Sequence, residues 1–192
     1  MKNDPWPHIN LKNFLSPERF KEIVELSVKE HEYLDMFGFY SRSGHYTRFV
    51  KEDIIPEVTR DLFDGLPIRD FNTPLRKIIH WSIHPAGFSY PAHIDNNSRI
   101  STAVLYVTPD NNIGTILCKN KSRHILDHGS PDQESECEIE TLWSPNTLFL
   151  HNSIDGKTWH RYEASTQRCT LNVFFVQPDK IAHGRLENRF LI

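Results

Sequence analysis

Apolar and polar positions follow two different periods along this chain. Near the start, Ile9-Asn10-Leu11-Lys12-Asn13-Phe14-Leu15 predicts a short extended segment. Ser16-Pro17-Glu18 then supplies a helix N-cap, a proline at the first helical position and an acidic first turn. Phe20, Ile23, Val24, Leu26 and Val28 form an imperfect stripe of helical period, which predicts a helix through about His31 with one buried face. Between Asp35 and Val50 the glycines and aromatics, among them Phe37, Gly38, Tyr40, Gly44 and Tyr46, predict an ordered connection. A second amphipathic helix is predicted from about Lys51 to Phe63, with Pro56 in its first turn or breaking it.

From Lys77 onward the pattern changes to short β-branched and aromatic runs bounded by Pro, Gly, Asn and Asp. Strands are predicted at Lys77–His84, Arg99–Val107, Ile113–Leu117, Glu136–Leu142, Thr147–His151, Thr158–Tyr162 and Arg168–Gln177. A jelly roll of seven or eight strands behind a helical N-terminal layer accommodates this spacing without a long unstructured loop. The expected organisation is one domain over 1–192: a helical layer at 1–75, a β core at 76–178 and a tail at 179–192 that packs back on the body. The fold class is therefore mainly β with N-terminal helices.

The chain has 192 residues, 38% of them hydrophobic, enough for a sizeable core. Its 22 Lys+Arg against 25 Asp+Glu give a net charge of −3, so no global basic field favours nucleic acid or an anionic membrane. The polar start, Met1-Lys2-Asn3-Asp4-Pro5, leads into no signal-like apolar stretch, and nowhere do about 18 apolar residues run together. A soluble, cytoplasmic protein is expected, with no membrane partner. Cys118, Cys137 and Cys169 are widely spaced and odd in number, which predicts buried reduced thiols. Histidine is frequent, 11 in all, and neutral imidazole is the commonest metal ligand.

His93-Ile94-Asp95 is the first candidate for chemistry, because i and i+2 in extended chain share one face and let imidazole and carboxylate meet one cation. Roughly one His-x-Asp/Glu arises by chance in a chain of this composition, so its setting matters more than its match. The triplet follows a strand and turn and precedes the long strand Arg99–Val107, at a strand mouth. His160, on a short predicted strand, can supply a third ligand from a facing sheet. Two histidines and one carboxylate with an open face form the facial triad of non-haem iron(II) oxygenases. On the strand Arg168–Gln177, Arg168, Thr170 and Asn172 share one face and Cys169, Leu171, Val173 and Phe175 the other. A guanidinium pointing into a barrel needs an anionic tenant, and a carboxylate beside a hydroxyl fits.

These residues resemble the Fe(II)/2-oxoglutarate-dependent dioxygenases, and among them the prolyl-4-hydroxylase-like branch. The order His-x-Asp, distal His, Arg-x-Ser/Thr is met by His93-Ile94-Asp95, His160 and Arg168-Cys169-Thr170. The resemblance implies a double-stranded β-helix, the cupin-like form of the jelly roll. His93, Asp95 and His160 would bind Fe(II); Arg168, assisted by Thr170, would bind the distal carboxylate of 2-oxoglutarate; and Tyr106 looks like the strand tyrosine that bonds the same carboxylate. The implied reaction uses O2 to hydroxylate an unidentified substrate, a peptidyl proline or a small molecule such as a free amino acid, a nucleobase or a metabolite, with the resemblance favouring a peptide. Asn13-Phe14-Leu15-Ser16-Pro17-Glu18 and the turn from His84 to Tyr90 extend the likeness over about Ile9 to Pro178. It departs at Gly114-Thr115, where many relatives carry Gly-Gly, and at His84, where a tyrosine often precedes the proline.

Other readings stand beside these. His93 and Asp95 alone can be a hydrogen-bonded pair at a turn. His151, which closes the strand Thr147–Leu150, is the rival third ligand. Arg168 has a plainer role as an ion-pair residue, and Tyr106 as a core aromatic. Asn172, His80 and His84 face the same interior, where a buried amide or imidazole paired to its neighbours is equally ordinary. His124 and His128 have helical ligand spacing, but Gly129 and Pro131 make them loop residues. Trp81, Trp143 and Trp159 read as core or rim aromatics, with Trp159 at the substrate mouth. The alternative function is a non-catalytic cupin-like domain that binds a metal or small molecule, and a metal-dependent hydrolase or isomerase is a further one.

Overall fold

The computed structural model describes Lys2 and residues 4–37, 46–58, 76–95, 98–118, 137–154 and 157–177. The helix α1 spans Pro17–Phe37. Ser16 caps it, its Oγ accepting the Arg19 N–H at 3.2 Å. The helix runs past the predicted end at His31. Ile23, Ser27 and Leu34, four and seven residues apart, form its buried stripe, whereas Val28 faces solvent although the apolar pattern had included it.

Ten strands accompany this helix among the described residues: β1 His8–Leu11, β2 Tyr46–Val50, β3 Arg76–His84, β4 Ser89–His93, β5 Arg99–Thr108, β6 Thr115–Cys118, β7 Cys137–Glu140, β8 Thr147–Asn152, β9 His160–Glu163 and β10 Arg168–Val176. They form a six-stranded sheet in the order β1-β8-β5-β10-β3-β2 and a four-stranded sheet in the order β4-β9-β6-β7. Every pairing is antiparallel, and among the described residues no ladder closes the two sheets into one barrel. Helix α1 covers the outer face of the six-stranded sheet, where Ile23 and Leu34 join Ile79, Trp81, Ile83, Leu105, Leu150, Cys169 and Leu171 in one core. The inner face meets the four-stranded sheet through Trp6, Tyr106, Leu117, Trp143 and Phe149.

The all-β core follows the predicted strands within a few residues. The described residues of the N-terminal third give one helix and two strands, β1 and β2, which edge the six-stranded sheet on opposite sides. Residues 51–58 form bends and turns instead of the start of a second helix, and 59–63 lie outside the described residues. Ile55 and Val58 are nonetheless fully buried in the core beneath α1, so their apolar pattern is satisfied without helical backbone. Cys118 is disulfide-bonded, against the expectation of three reduced thiols, while Cys169 is free and buried. Gly114 has a steric reason to be glycine: an added Cβ would lie 1.8 Å from the Thr141 carbonyl oxygen. His124, His128 and the tail 179–192 lie outside the described residues.

Candidate active site

Alternation along the strands turns every second residue of the six-stranded sheet inward, and pairing aligns these residues in rows. His84 lies beside Arg168; Ser82, Thr170, Tyr106 and Thr147 form the next row; His80, Asn172, Val104 and Phe149 the third; and Ile78, Phe174, Thr102 and His151 the fourth. The four-stranded sheet faces these rows with β4 and β9, in which His93 and His160 are direct partners.

His93, Asp95 and His160 bring one ligand atom each to within 4.8 Å of one another. Each histidine is tied at Nδ1 to the main-chain carbonyl two residues upstream, His93 to Pro91 at 3.0 Å and His160 to Thr158 at 3.0 Å. Donation from Nδ1–H fixes the tautomer and leaves the Nε2 lone pair for a metal. Burial pushes the His93 pKa down to about 3, with the neighbouring His160 adding to the shift, and Asp95 and the Pro91 carbonyl oppose it only in part. The imidazole is therefore neutral, the form that ligates. Burial alone would raise the Asp95 carboxyl, but Arg99 and the surrounding imidazoles outweigh it and hold the group well below the usual carboxylate range. Arg99 donates to Oδ1 at 2.7 Å and Thr102 to Oδ2 at 2.5 Å. Two imidazoles and one oriented carboxylate fit a divalent first-row cation such as Fe(II).

His151 does not join this group. Its Nδ1 faces the Asn152 carbonyl at 3.2 Å, and its Nε2 lies 3.7 Å from Asp95 Oδ2 with no hydrogen bond. It packs instead between Trp6, at 5.1 Å between ring centroids, and His160, at 5.0 Å.

Arg168 is 3% exposed. One of its nitrogens donates to the carbonyls of Glu163 (3.1 Å) and Ile113 (3.3 Å), while Nε has no partner. Trp143 and Tyr162 wall the guanidinium, with its carbon 4.7 Å and 5.2 Å from their ring centroids. Burial lowers its pKa, yet a guanidinium stays protonated, so the site holds a desolvated cation with no ion-pair partner among the described residues. The surface ion-pair role does not describe a residue buried in this way. Thr170 is buried next to it between Ser82 and Tyr106. The Tyr106 hydroxyl meets Thr115 and Thr141.

Asn172 bonds His80 through Nδ2 and Nε2 at 2.8 Å, and His80 packs edge-on against Phe174. His84 sits between Phe88 and Tyr162. Trp81 belongs to the outer core and Trp143 to the inner one, while Trp159 is buried and accepts the Trp6 indole N–H at its carbonyl. Sequence reasoning missed Arg99 and Thr102. The inward period of β5 marks Thr102, but only the turn at Ser98 brings Arg99 back onto Asp95.

No family sequence model and no curated protein sequence matches the chain. Solved structures do. A Pseudomonas putida prolyl-4-hydroxylase aligns over 88% of this chain and 92% of its own, at 17% identity and a TM-score of 0.56. A prolyl hydroxylase from Trichoplax adhaerens, solved with a peptide fragment of the hypoxia inducible factor oxygen degradation domain, aligns over 90% and 84% at 14% identity and 0.62. A viral collagen prolyl hydroxylase from Paramecium Bursaria Chlorella virus-1, in its 2OG complex, aligns over 92% and 99% at 10% identity and 0.58. The fold is that of the prolyl hydroxylases. These neighbours are members of the Fe(II)/2-oxoglutarate oxygenase superfamily, the family to which the motif order pointed. Among the described residues no helix is long and apolar enough to cross a membrane.

Proposed function

We propose that the protein is an Fe(II)- and 2-oxoglutarate-dependent oxygenase on a double-stranded β-helix, which hydroxylates a substrate of the peptide or small-molecule class. One observation carries this reading: a triad of two histidines and an aspartate shares an inner space with a buried arginine that has no acidic partner among the described residues. A metal-binding domain without a keto acid has no use for that arginine.

In this reading His93 and His160 hold the metal through their Nε2 atoms, and Asp95 offsets part of its charge. Arg168, with Thr170, binds the distal carboxylate and thereby sets the reach of the keto acid toward the triad. Trp143 and Tyr162 exclude water from that ion pair, which strengthens it. With Fe(II), 2-oxoglutarate and O2 bound, the site supplies oxidative decarboxylation coupled to insertion of oxygen into a C–H bond. The carboxylate of Asp95 fills the position that a halide would need, which favours hydroxylation over halogenation. The peptide held by the Trichoplax enzyme favours a peptide here.

Anaerobic titration of metal-free protein with Fe(II) and then 2-oxoglutarate tests the proposal through the visible charge-transfer band of a chelated keto acid. The band is expected in the wild type and lost or weakened in Asp95→Ala and Arg168→Ala. A folded protein that binds iron and shows no band at millimolar keto acid is a cupin-like metal binder instead.

A further inference from the structure

Tyr106 stands beside Thr170 in the sheet, yet its hydroxyl turns toward the four-stranded sheet. It accepts the Thr115 N–H at 3.0 Å and shares hydrogen bonds with Thr115 Oγ1 at 3.0 Å and Thr141 Oγ1 at 2.9 Å. A phenol offers one proton and two lone pairs, so three partners exhaust it. Its ring is fully buried and stacks on Trp143 at 4.4 Å. Tyr106 thus braces one sheet against the other.

Ser82 and His84 lie on the other side of Arg168. His84 is the direct partner of Arg168 across β3 and β10, and Ser82 that of Thr170. Both side chains point inward and are buried, at 2% and 4% exposure for His84 and Ser82. Ser82 and Arg168 are diagonal neighbours on one face, close enough to hold one ligand between them. His84 Nε2 lies 3.4 Å from Ser82 Oγ, at the long end of hydrogen-bond distance. The His84 ring is wedged between Phe88 and Tyr162, each at 4.9 Å, and Tyr162 in turn faces the guanidinium. When His84 donates to Ser82, it occupies one hydroxyl lone pair and leaves the hydroxyl proton for an anion.

We propose that Ser82 binds the distal carboxylate of the keto acid together with Arg168, and that His84 is the positioning residue that acts through Ser82. This rests on the oxygenase reading above.

The test is equilibrium binding to the Fe(II)-loaded protein without O2, comparing 2-oxoglutarate with 2-oxobutyrate, which lacks the distal carboxylate. Ser82→Ala is expected to weaken 2-oxoglutarate binding about tenfold and to lower its preference over 2-oxobutyrate by the same factor, with Fe(II) affinity and thermal midpoint unchanged. His84→Leu shifts both quantities in the same direction, and His84→Gln, which keeps a donor, restores them. Tyr106→Phe leaves 2-oxoglutarate affinity within about twofold. Wild-type affinity and preference in both Ser82→Ala and His84→Leu would overturn the proposal while leaving the oxygenase reading intact. A wild-type protein without keto-acid binding overturns both.

Discussion

The Asp95 carboxylate is divided among several protein groups before any metal arrives. Arg99 and Thr102 hold its two oxygens, Ser153 Oγ approaches Oδ2 at 3.5 Å, and His151 Nε2 lies 3.7 Å away. Such partners set the angle at which a carboxylate meets a cation. Thr102→Val removes the shortest of these bonds without changing shape, and is expected to lower Fe(II) affinity by about ten- to a hundredfold. Competition with a chromogenic chelator measures this, and wild-type affinity would mean that Arg99 alone orients the group. The two candidate third ligands separate in the same assay. His160→Ala abolishes tight Fe(II) binding, whereas His151→Phe, which keeps the aromatic packing on Trp6 and Phe149, preserves it. The opposite outcome would move the metal to His151.

Strands differ in how much of themselves they write into the sequence. Strand β10 is legible because it is buried on both faces by different chemistry, Cys169, Leu171 and Val173 against α1 and Arg168, Thr170 and Asn172 against the site. Strand β4 escaped notice because it is an edge strand that carries Pro91 and a register shift between Tyr90 and His93, so it has no clean alternation. The segment 51–58 is the converse case. Ile55 and Val58 have helical spacing, but the segment is anchored by Arg19 donating to the Ile54 carbonyl at 2.7 Å and folds as turns. The triad was legible as residue types and order, while the orientation of Tyr106 depended on Thr115 and Thr141, which no local pattern ties to it. Long-range ties of that kind also hold the N-terminal segment. Asn146, at φ 59°, accepts the Leu15 N–H at 2.8 Å and donates to the Leu15 carbonyl at 2.8 Å. Asn146→Ala leaves both buried main-chain groups unpaired and strains the turn, and is expected to cost about 2–4 kcal/mol in urea unfolding. A loss below about 0.5 kcal/mol would show that water replaces the amide.

At the scale of the whole molecule, folding gathers neutral imidazoles into a water-poor space, and this makes the metal-free protein sensitive to acid. His93 is held at about 3 and His151 at about 4, both chiefly by burial, against 6.5 for the free side chain. The unfolded chain therefore binds more protons than the folded one once pH falls below about 6.5. Stability from these two groups is complete above that pH and declines as pH falls toward their folded values, by about 1.4 kcal/mol per pH unit for each. Asp95 acts later. Its depressed pKa adds stability that is present above about 3.9 and lost only below it. A bound cation raises stability further, by about 2.7 kcal/mol at a hundred times its dissociation constant, and competes with protons for His93 Nε2. Thermal unfolding of the metal-free protein between pH 7.5 and 5 is thus expected to show a falling midpoint, and Fe(II) under argon, or Mn(II) as a redox-stable substitute, to raise it most at the upper end. In Asp95→Ala the rise with metal disappears while the acid decline persists, because the latter comes from the histidines. A metal-free midpoint that stays flat from pH 7.5 to 5 would mean that His93 and His151 are hydrated in solution and that the space between the sheets is open.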